Sequence, residues 1–299
     1  MVTVFLRGGL GNQMFQYAAG LAVAKKNNTD LVLDTVFLND RFPRPHFTYR
    51  TFDLADVFDV APRFTRLSTL ADAVPIPGVW LGMDILAMKM RATFHRAKIV
   101  YEGGKKEFDL AIIKAPRAVI LYGRWEDENY FKEYEHDVRL AFQFRHALNG
   151  EAAALAERIA SGNSVSLHVR RGDYAADKRV GNLMGDTNLS YYERAVEYMM
   201  KKVEKPTFFV FSDDIEWCKK NITIDAPVVY VPASCAGPKA AHHLQLMSLC
   251  KHNIIANSTF SWWGAWLNAN PEKMVIAPRR WYSTGDVPPG LVSKGWIKL

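Results

Sequence analysis

In the second half of the chain, short apolar segments alternate with segments of helical pattern, and this alternation restricts the fold more than any other feature. Strands are predicted at residues 165–169, 207–211, 228–231, 253–257 and 274–277. Helices are predicted between them at residues 190–203, 215–220, 239–251 and 258–267. Strands separated by helices of this length form parallel sheets, because a parallel pair needs a crossover connection. We therefore predict a doubly wound α/β sheet.

The first half begins with a βα unit. A strand at 2–6, a glycine-rich turn at 7–12, a helix at 13–26 and a strand at 31–33 are predicted, with a further strand at 118–122. Scattered prolines and no clear period between about residues 40 and 120 predict irregular loops and short helices around a binding surface. A helical stretch at about 137–160 leads into the second half. We predict two domains, 1–155 and 156–299, facing each other across a cleft.

Composition excludes several classes of protein. The 299 residues are 49% hydrophobic and 23% charged, which is typical of a soluble globular protein, and no apolar run is long enough for a bilayer span or signal peptide. Three cysteines without a CxxC pair argue against a disulfide framework and a zinc site, and favour a reducing compartment. The net charge of +7 suits an anionic ligand or an anionic membrane surface, but no basic tail with interleaved aromatics points to nucleic acid. The basic residues of segment 88–98 have the spacing of a helix. We interpret them as a helix face exposed to solvent rather than as a contact with a membrane surface.

The segment SVSLHVRRGDY (residues 164–174) places polar residues where a buried strand ends. Ligands of open α/β sheets bind outside the carboxyl ends of strands. Because successive side chains on a strand alternate, Arg170 is expected on the side of His168 and Arg171 on the other. An arginine fork matches phosphate oxygens, so an anionic, phosphate-bearing ligand is predicted. The alternative is that both arginines form structural salt bridges.

Two other strand ends in this half carry polar residues. Ser212, Asp213 and Asp214 could bind a guanine edge, ribose hydroxyls or a divalent metal, or could cap the next helix; one Asp could cap while the other binds. Asn257, Ser258 and Thr259 precede a helix whose first-turn N–H groups would seat a pyrophosphate. Phe260 or Trp262 could cover a base or sugar, although the three nearby tryptophans are expected mainly to pack between sheet and helix.

The turn after the first strand, GGLGNQ (residues 8–13), lets a ligand approach the backbone at Gly9 and Gly11. It matches neither the Walker A sequence nor the dinucleotide fingerprint, and the alternative is a tight βα turn without ligand. The adjacent His242 and His243 do not converge on a helix and are interpreted as structural, so no metal site is predicted.

Four motifs together resemble the set found in the α-1,2-fucosyltransferase family. They are RGGLGNQMFQY (7–17), HVRRGDY (168–174), FSDD (211–214) and NSTFSWWGAW (257–266), and they span nearly the whole chain. The resemblance implies a GT-B architecture with two Rossmann-like domains, an acceptor-side domain 1–155 and a nucleotide-sugar-binding domain 156–299. It further implies GDP-fucose as donor, inversion at the anomeric carbon, and neither metal nor cofactor besides this co-substrate. The family member would be a bacterial, soluble one.

The resemblance also implies roles for individual residues. Arg170 would hold the β-phosphate, and His168 with Asp213 or Asp214 would contact the guanosine. Asn12 would reach the fucosyl phosphate, with Gly9 and Gly11 beside it. The remaining donor-site residues would be Arg171, Ser212, Asn257, Ser258, Thr259 and Phe260.

The reaction expected is transfer of L-fucose to a hydroxyl of a galactose-type acceptor, an oligosaccharide or glycolipid, in an α-1,2 linkage. Arg170, Asn12 and Asp173 are the candidate catalytic residues; rival candidates for the base are Glu126, Asp127 and Glu128. Alternatives are another GDP-sugar transferase, such as an α-1,6 type, or a non-catalytic GDP-sugar-binding protein. The expected location is the cytoplasm, with peripheral contact to the inner membrane as an option.

Overall fold

The computed structural model describes residues 1–44, 48–94, 98–102, 116–171, 188–282 and 290–299. The chain divides into two compact units. Unit 1 comprises Met1–Arg145 and a short segment ending at Leu291, and unit 2 comprises the rest from His146 onward. The division falls before the predicted limit at residue 155, because the helix Gly150–Ala160 packs within unit 2.

Unit 1 is built on a parallel sheet. Its strands are β1 (Val2–Phe5), β2 (Leu31–Asp34), β3 (Lys98–Tyr101) and β4 (Val119–Tyr122), in the spatial order β2-β1-β4-β3. All the paired strands in it are parallel. The sequence of β1 is almost wholly apolar because neighbours on both sides and the following helix bury every residue of it.

The described helices of unit 1 are α1 (Leu10–Lys26), α2 (Val36–Asn39), α3 (Leu54–Val57), α4 (Arg66–Ala73), α5 (Val79–Phe94) and α6 (Glu135–Ala141). The expectation of only loops and short helices in the middle is wrong for α5, which has 16 residues, and for β3. Apolar residues on the outer face of α5 hide its period. The edge strand β3 buries Val100 alone, so its alternation is weak.

The single helical stretch predicted over residues 137–160 is interrupted. Phe144 pairs with Phe58, and the Arg145 backbone N–H donates to the carbonyl of Val57 at 2.9 Å. These backbone bonds to another segment replace helical ones, so α6 ends at Ala141 and a new helix begins at Gly150.

Unit 2 confirms the predicted parallel, doubly wound sheet. Its strands are β5 (Asn163–Val169), β6 (Pro206–Ser212), β7 (Val228–Tyr230), β8 (His252–Ile254), β9 (Val275–Ala277) and β10 (Ile297–Lys298). Its described helices are α7 (Gly150–Ala160), α8 (Leu189–Lys202), α9 (Ile215–Asn221), α10 (Ala241–Leu249) and α11 (Thr259–Leu267). The spatial order is β10-β9-β8-β5-β6-β7, all parallel.

Counted from β5, this strand order is 3-2-1-4-5-6, the order of the Rossmann fold. The order reverses between β5 and β8, which defines the topological switch point where such sheets bind ligands. A buried side-chain bond joins these two strands, because Asn253 Nδ2 of β8 donates to Ser166 Oγ of β5 at 2.7 Å. The Tyr191 hydroxyl of α8 donates to the carbonyl of Ile255, just after β8, at 2.6 Å. Buried hydrogen bonds thus tie the switch point to the sheet and to α8.

None of the helices in the described ranges is both long enough and apolar enough to cross a lipid bilayer.

A pair of helical glycines tests the packing of α1. A Cβ added at Gly20 would lie 2.3 Å from Val4 Cγ2, whereas one added at Gly82 of α5 would meet nothing within 4 Å. We expect Gly20→Ala to destabilise unit 1 by about 1–3 kcal/mol through overpacking against β1. The matched variant Gly82→Ala should stabilise by roughly 0.5–1 kcal/mol, since only helix propensity changes. Chemical denaturation checks both values, and equal effects at the two sites would contradict this packing.

Candidate functional site

The ends of β5 and β6 bring together the two arginines and two aspartates singled out by sequence. Arg170 Nη1 lies 2.9 Å from Asp213 Oδ2, and the backbone N–H of Arg171 donates to Asp213 Oδ1 at 2.9 Å. Both side chains of the Arg170–Asp213 pair keep about a quarter of their surface exposed, at 27% and 26%. The pair is therefore formed within the fold yet open to a ligand at the carboxyl edge of the sheet.

Asp214 and Arg171 have mainly structural contacts. Asp214 is the N-cap of α9, and its Oδ1 accepts from the Trp217 N–H at 3.1 Å. Arg171 lies over the Trp217 ring, with its guanidinium carbon 4.0 Å from the ring centroid, and its Nε is 3.5 Å from Asp214 Oδ2. The two arginines thus have different partners, and one aspartate caps as the sequence suggested. Ser212 supports the same turn, because its Oγ accepts from the Asp214 N–H at 2.9 Å.

His168 is a buried, neutral ring at the end of β5. Burial first, then the charge of Arg170 and the neighbouring His243, lower its pKa to about 3. Its Nδ1 is shielded from solvent and finds no hydrogen-bond partner among the described residues. Its ring centroid lies 5.9 Å from that of Phe260. Because the imidazole is neutral, Arg170 is the positively charged side chain in the group formed by His168, Arg170 and Asp213.

The first turn of α11 stands at the carboxyl end of β8. Ser258 is the N-cap residue of α11, and its hydroxyl makes no capping bond to the first helical turn. Thr259 and Phe260 begin the helix and are half-buried. Asn257 is fully buried, and its Nδ2 donates to the Trp281 carbonyl at 3.1 Å, which commits this donor to the fold.

The remaining aromatic and imidazole candidates are packed inside unit 2. Trp262, Trp263 and Trp266 contact one another, and Trp262 has no exposed surface, so Phe260 is the accessible ring of the two proposed for stacking. His243 Nε2 lies 3.1 Å from the Pro232 carbonyl, and His242 is buried beside Gly237. Among the described residues no group of three or more His, Cys, Asp or Glu side chains is arranged to hold a metal ion.

Unit 1 has a cavity of its own of about 350 Å³ at the carboxyl end of β1. Gly8, Gly9 and Asn12 form part of its wall, together with the arginines Arg7, Arg50 and Arg124 and the aromatic residues Phe37 and Tyr49. No acidic residue is among the described residues that line it. The cavity therefore suits a polar or anionic ligand with a ring face to stack.

Helix α1 begins at Leu10, three positions before the predicted start, because Gly9 serves as its N-cap with extended backbone. Gly11 and Asn12 consequently lie in the first helical turn. Gly8 has a φ of +82°, and a Cβ there would lie 2.5 Å from Asn12 Nδ2. Glycine at this position both permits the backbone conformation and leaves room for the Asn12 amide.

Two glutamines of α1 position this turn, and neither was among the residues predicted for the site. Gln13 Nε2 donates to the carbonyls of Gly8 at 3.0 Å and Thr51 at 2.7 Å, and its Oε1 accepts from the Asp53 N–H. Gln16 Oε1 accepts from the Arg7 N–H at 3.0 Å. One feature of the sequence indicates this role. Gln13 and Gln16 are three positions apart on the buried side of a helix, where apolar residues are the rule.

The candidates for the catalytic base are Asp173, Glu126, Asp127 and Glu128. Asp173 lies outside the described residues. Asp127 is buried, burial raises the pKa of its carboxyl, and its Oδ1 accepts from the N–H and the Nδ2 of Asn129, both at 2.8 Å. Glu126 and Glu128 are half-buried beside it. Asp127 thus has a structural function at the start of a short helical turn.

Comparison with known proteins identifies the family to which this chain belongs. Residues 1–287 match the model of glycosyl transferase family 11. The chain belongs to this family. It is 30% identical to the O-antigen biosynthesis glycosyltransferase WbnK of Escherichia coli, with 98% of this chain and 99% of that protein aligned. It is 31% identical to an alpha-1,2-colitosyltransferase of Escherichia coli, covering 96% of this chain and 94% of that protein.

More distant similarity extends to mammals and plants. A galactoside alpha-(1,2)-fucosyltransferase 1 of Sus scrofa is 26% identical over 89% of this chain, which spans 65% of that protein. In structure, the chain matches a point mutant of Arabidopsis thaliana FUT1 solved with GDP, with a TM-score of 0.51, 11% identity, and coverage of 92% of this chain and 69% of that one. The resemblance drawn from the four motifs is confirmed for the family, and the predicted GT-B type of α/β fold is confirmed with it. The family 11 protein is a glycosyltransferase.

The buried His168 predicts how stability depends on pH. Its pKa is about 3 in the fold and about 6.5 when unfolded, so the unfolded chain takes up the proton first as pH falls. Stability is therefore complete above about pH 6.5 and decreases below it, by up to roughly 1.4 kcal/mol per pH unit from this residue. Urea unfolding at several pH values should give a shallower acid slope for His168→Gln than for the wild type. His136→Gln, on the exposed side of α6, should keep the wild-type slope, and equal slopes for all three proteins would contradict the assignment.

Proposed function

We propose that this family 11 enzyme transfers L-fucose from GDP-β-L-fucose to a hydroxyl of a galactose-type acceptor, forming an α-1,2 linkage. The observation that carries the proposal is the convergence of His168, Arg170 and Asp213 at the carboxyl edge of a Rossmann-ordered sheet. The names of the relatives with α-1,2 linkages support the linkage.

In this proposal unit 2 binds the donor. Arg170 holds the β-phosphate, and the first-turn N–H groups of α11 seat the diphosphate near Ser258. Asp213 and His168 contact the guanosine, and Phe260 offers a ring face next to it. Asp213 already holds the Arg170 side chain at the sheet edge at 2.9 Å, so little side-chain ordering is left for donor binding.

The acceptor oxygen attacks the anomeric carbon on the face opposite GDP. The bond from carbon to the β-phosphate oxygen breaks, its electron pair leaves with GDP, and the hydroxyl proton passes to a carboxylate base, for which we propose Asp173. Positive charge develops on the sugar and negative charge on the diphosphate. Arg170 and the N-terminus of α11 stabilise that negative charge, so the reaction is proposed to need no metal and no cofactor beyond the co-substrate.

For the acceptor, an oligosaccharide or glycolipid, we propose the cavity of unit 1. Tyr49 offers a ring face to a pyranose of the acceptor, and Asn12, in the same wall, is proposed to contact the fucosyl phosphate as the resemblance implies. We further propose that the enzyme works in the cytoplasm, where its three buried cysteines, all free in the structure, would stay reduced.

A second candidate donor is the GDP-linked form of colitose, which is fucose without its 3-hydroxyl. It is favoured by the alpha-1,2-colitosyltransferase that aligns with 96% of this chain. A site that hydrogen-bonds the 3-hydroxyl would discriminate strongly against colitose, whereas an apolar site would discriminate weakly.

Titration calorimetry in EDTA with GDP, ADP, UDP and GDP-fucose tests the donor site without needing an acceptor. GDP-selective binding supports the assignment, and a preference for UDP overturns it.

A transfer assay then compares GDP-fucose with GDP-colitose on galactose-terminated oligosaccharides, with and without EDTA. We expect a higher kcat/KM with GDP-fucose and no loss in EDTA. Binding without turnover on any acceptor would favour the non-catalytic alternative, and activity restored only by Mg²⁺ or Mn²⁺ would refute the metal-independent mechanism.

Arg170→Lys tests the charge that stabilises the leaving group. A lysine keeps the positive charge but loses the fork, so we expect kcat to fall by about 10²–10³. Arg194→Lys is the matched control, because Arg194 lies on α8 with its Nη1 bonded to Ser190 on the exposed surface. It should keep wild-type kinetics. Unchanged kcat in Arg170→Lys would remove Arg170 from the proposed mechanism.

A further inference from the structure

Helix α5 of unit 1 exposes an apolar stripe. Val79, Met83, Leu86 and Met90 have 47%, 46%, 60% and 50% of their surface exposed. They follow one another at intervals of four, three and four residues, so they lie on one face of the helix. The opposite face packs on the unit, where Asp84 and Met88 are buried. The outer side of α5 is thus apolar, and none of the described residues covers it.

Two further exposed apolar residues lie in the segment before the helix. Val74 and Ile76 are 51% and 46% exposed. The Trp80 indole N–H donates to the Val74 carbonyl at 2.6 Å, and the Val79 N–H donates to the Ile76 carbonyl at 3.3 Å, which hold both residues against the first turn of α5. Isolated exposed apolar residues are common, but a contiguous patch of this kind marks an interaction site. We refer to these six residues as the α5 surface.

Helix α5 presents positive charge beside its apolar stripe. Lys89 is exposed next to Met90, and Lys98, at the start of β3, is exposed as well. The only acidic residue within α5 is Asp84, whose side chain is buried; the nearest acid before it in sequence, the exposed Asp72, lies on α4. An exposed apolar helix face bordered by basic residues is the pattern of helices that lie in the plane of a membrane interface.

We propose that the α5 surface docks on an anionic lipid bilayer, with α5 parallel to the membrane plane. The apolar side chains enter the boundary between headgroups and acyl chains, and Lys89 meets anionic headgroups. A second copy of this chain fits less well. Twofold pairing would place α5 against α5, and this helix exposes no acid to balance Lys89.

Flotation with vesicles tests this. Wild-type protein should float with vesicles of phosphatidylcholine and phosphatidylglycerol, and much less with phosphatidylcholine alone. Leu86→Gln removes the most exposed apolar side chain and should weaken binding at least about tenfold, and Lys89→Gln about fivefold. Leu140→Gln, a matched change at a residue 50% exposed on α6, should bind as the wild type does.

Thermal unfolding and size exclusion complete the experiment. Equal melting temperatures of the variants would exclude misfolding as the cause of lost binding. The proposal is overturned if wild-type protein does not float, if flotation is independent of anionic lipid, or if Leu86→Gln and Leu140→Gln behave alike. It is also overturned if the wild type forms a dimer that Leu86→Gln dissociates, because the surface would then join two copies.

Discussion

The parallel ladder between β5 and β6 determines where the candidate donor site forms. Seven consecutive pairs run from Asn163 opposite Pro206 to Val169 opposite Ser212. The next residues along the two strands are Arg170 and Asp213, so the register alone places guanidinium and carboxylate side by side. A slip of one residue would turn every side chain of one strand to the other face and separate the pair.

The two ion pairs at this edge serve different purposes because their surroundings differ. The Arg171 pair is reinforced by stacking on Trp217 and by the capping function of Asp214, which tie it to α9. In the Arg170–Asp213 pair both side chains are about a quarter exposed. Exposed ion pairs contribute roughly 0–1 kcal/mol, whereas a bidentate contact between arginine and phosphate is stronger. In the proposed function, a diphosphate competes with Asp213 for Arg170 without unfolding the turn.

Sequence predicted unit 2 better than unit 1, and the reason lies in burial. Strand β6 is covered on both faces and has an almost continuous apolar sequence, and β5 has Val165, Leu167 and Val169 at alternate positions. Helix α8 has a clear amphipathic period. In unit 1, α5 carries apolar residues on its inner and outer faces, which erases the period that identifies a surface helix. The sequence alone could not assign separate roles to the adjacent Asp213 and Asp214. Which carboxylate caps α9 depends on which of them reaches the first turn of that helix. The positioning roles of Gln13 and Gln16 depend on backbone groups of Thr51, Asp53 and Gly123, which are distant in sequence.

The use of amides in α1 also explains how unit 1 keeps its cavity positive. The turn after β1 must bond backbone N–H and carbonyl groups together, and a glutamine supplies both a donor and an acceptor. A glutamate at either position could accept from an N–H but would lack the donor that Gly8 and Gly123 receive. It would also place a buried negative charge next to Arg7, one of three arginines in the wall. Neutral amides therefore fix the turn that presents Asn12 while leaving the positive potential of the cavity undiminished.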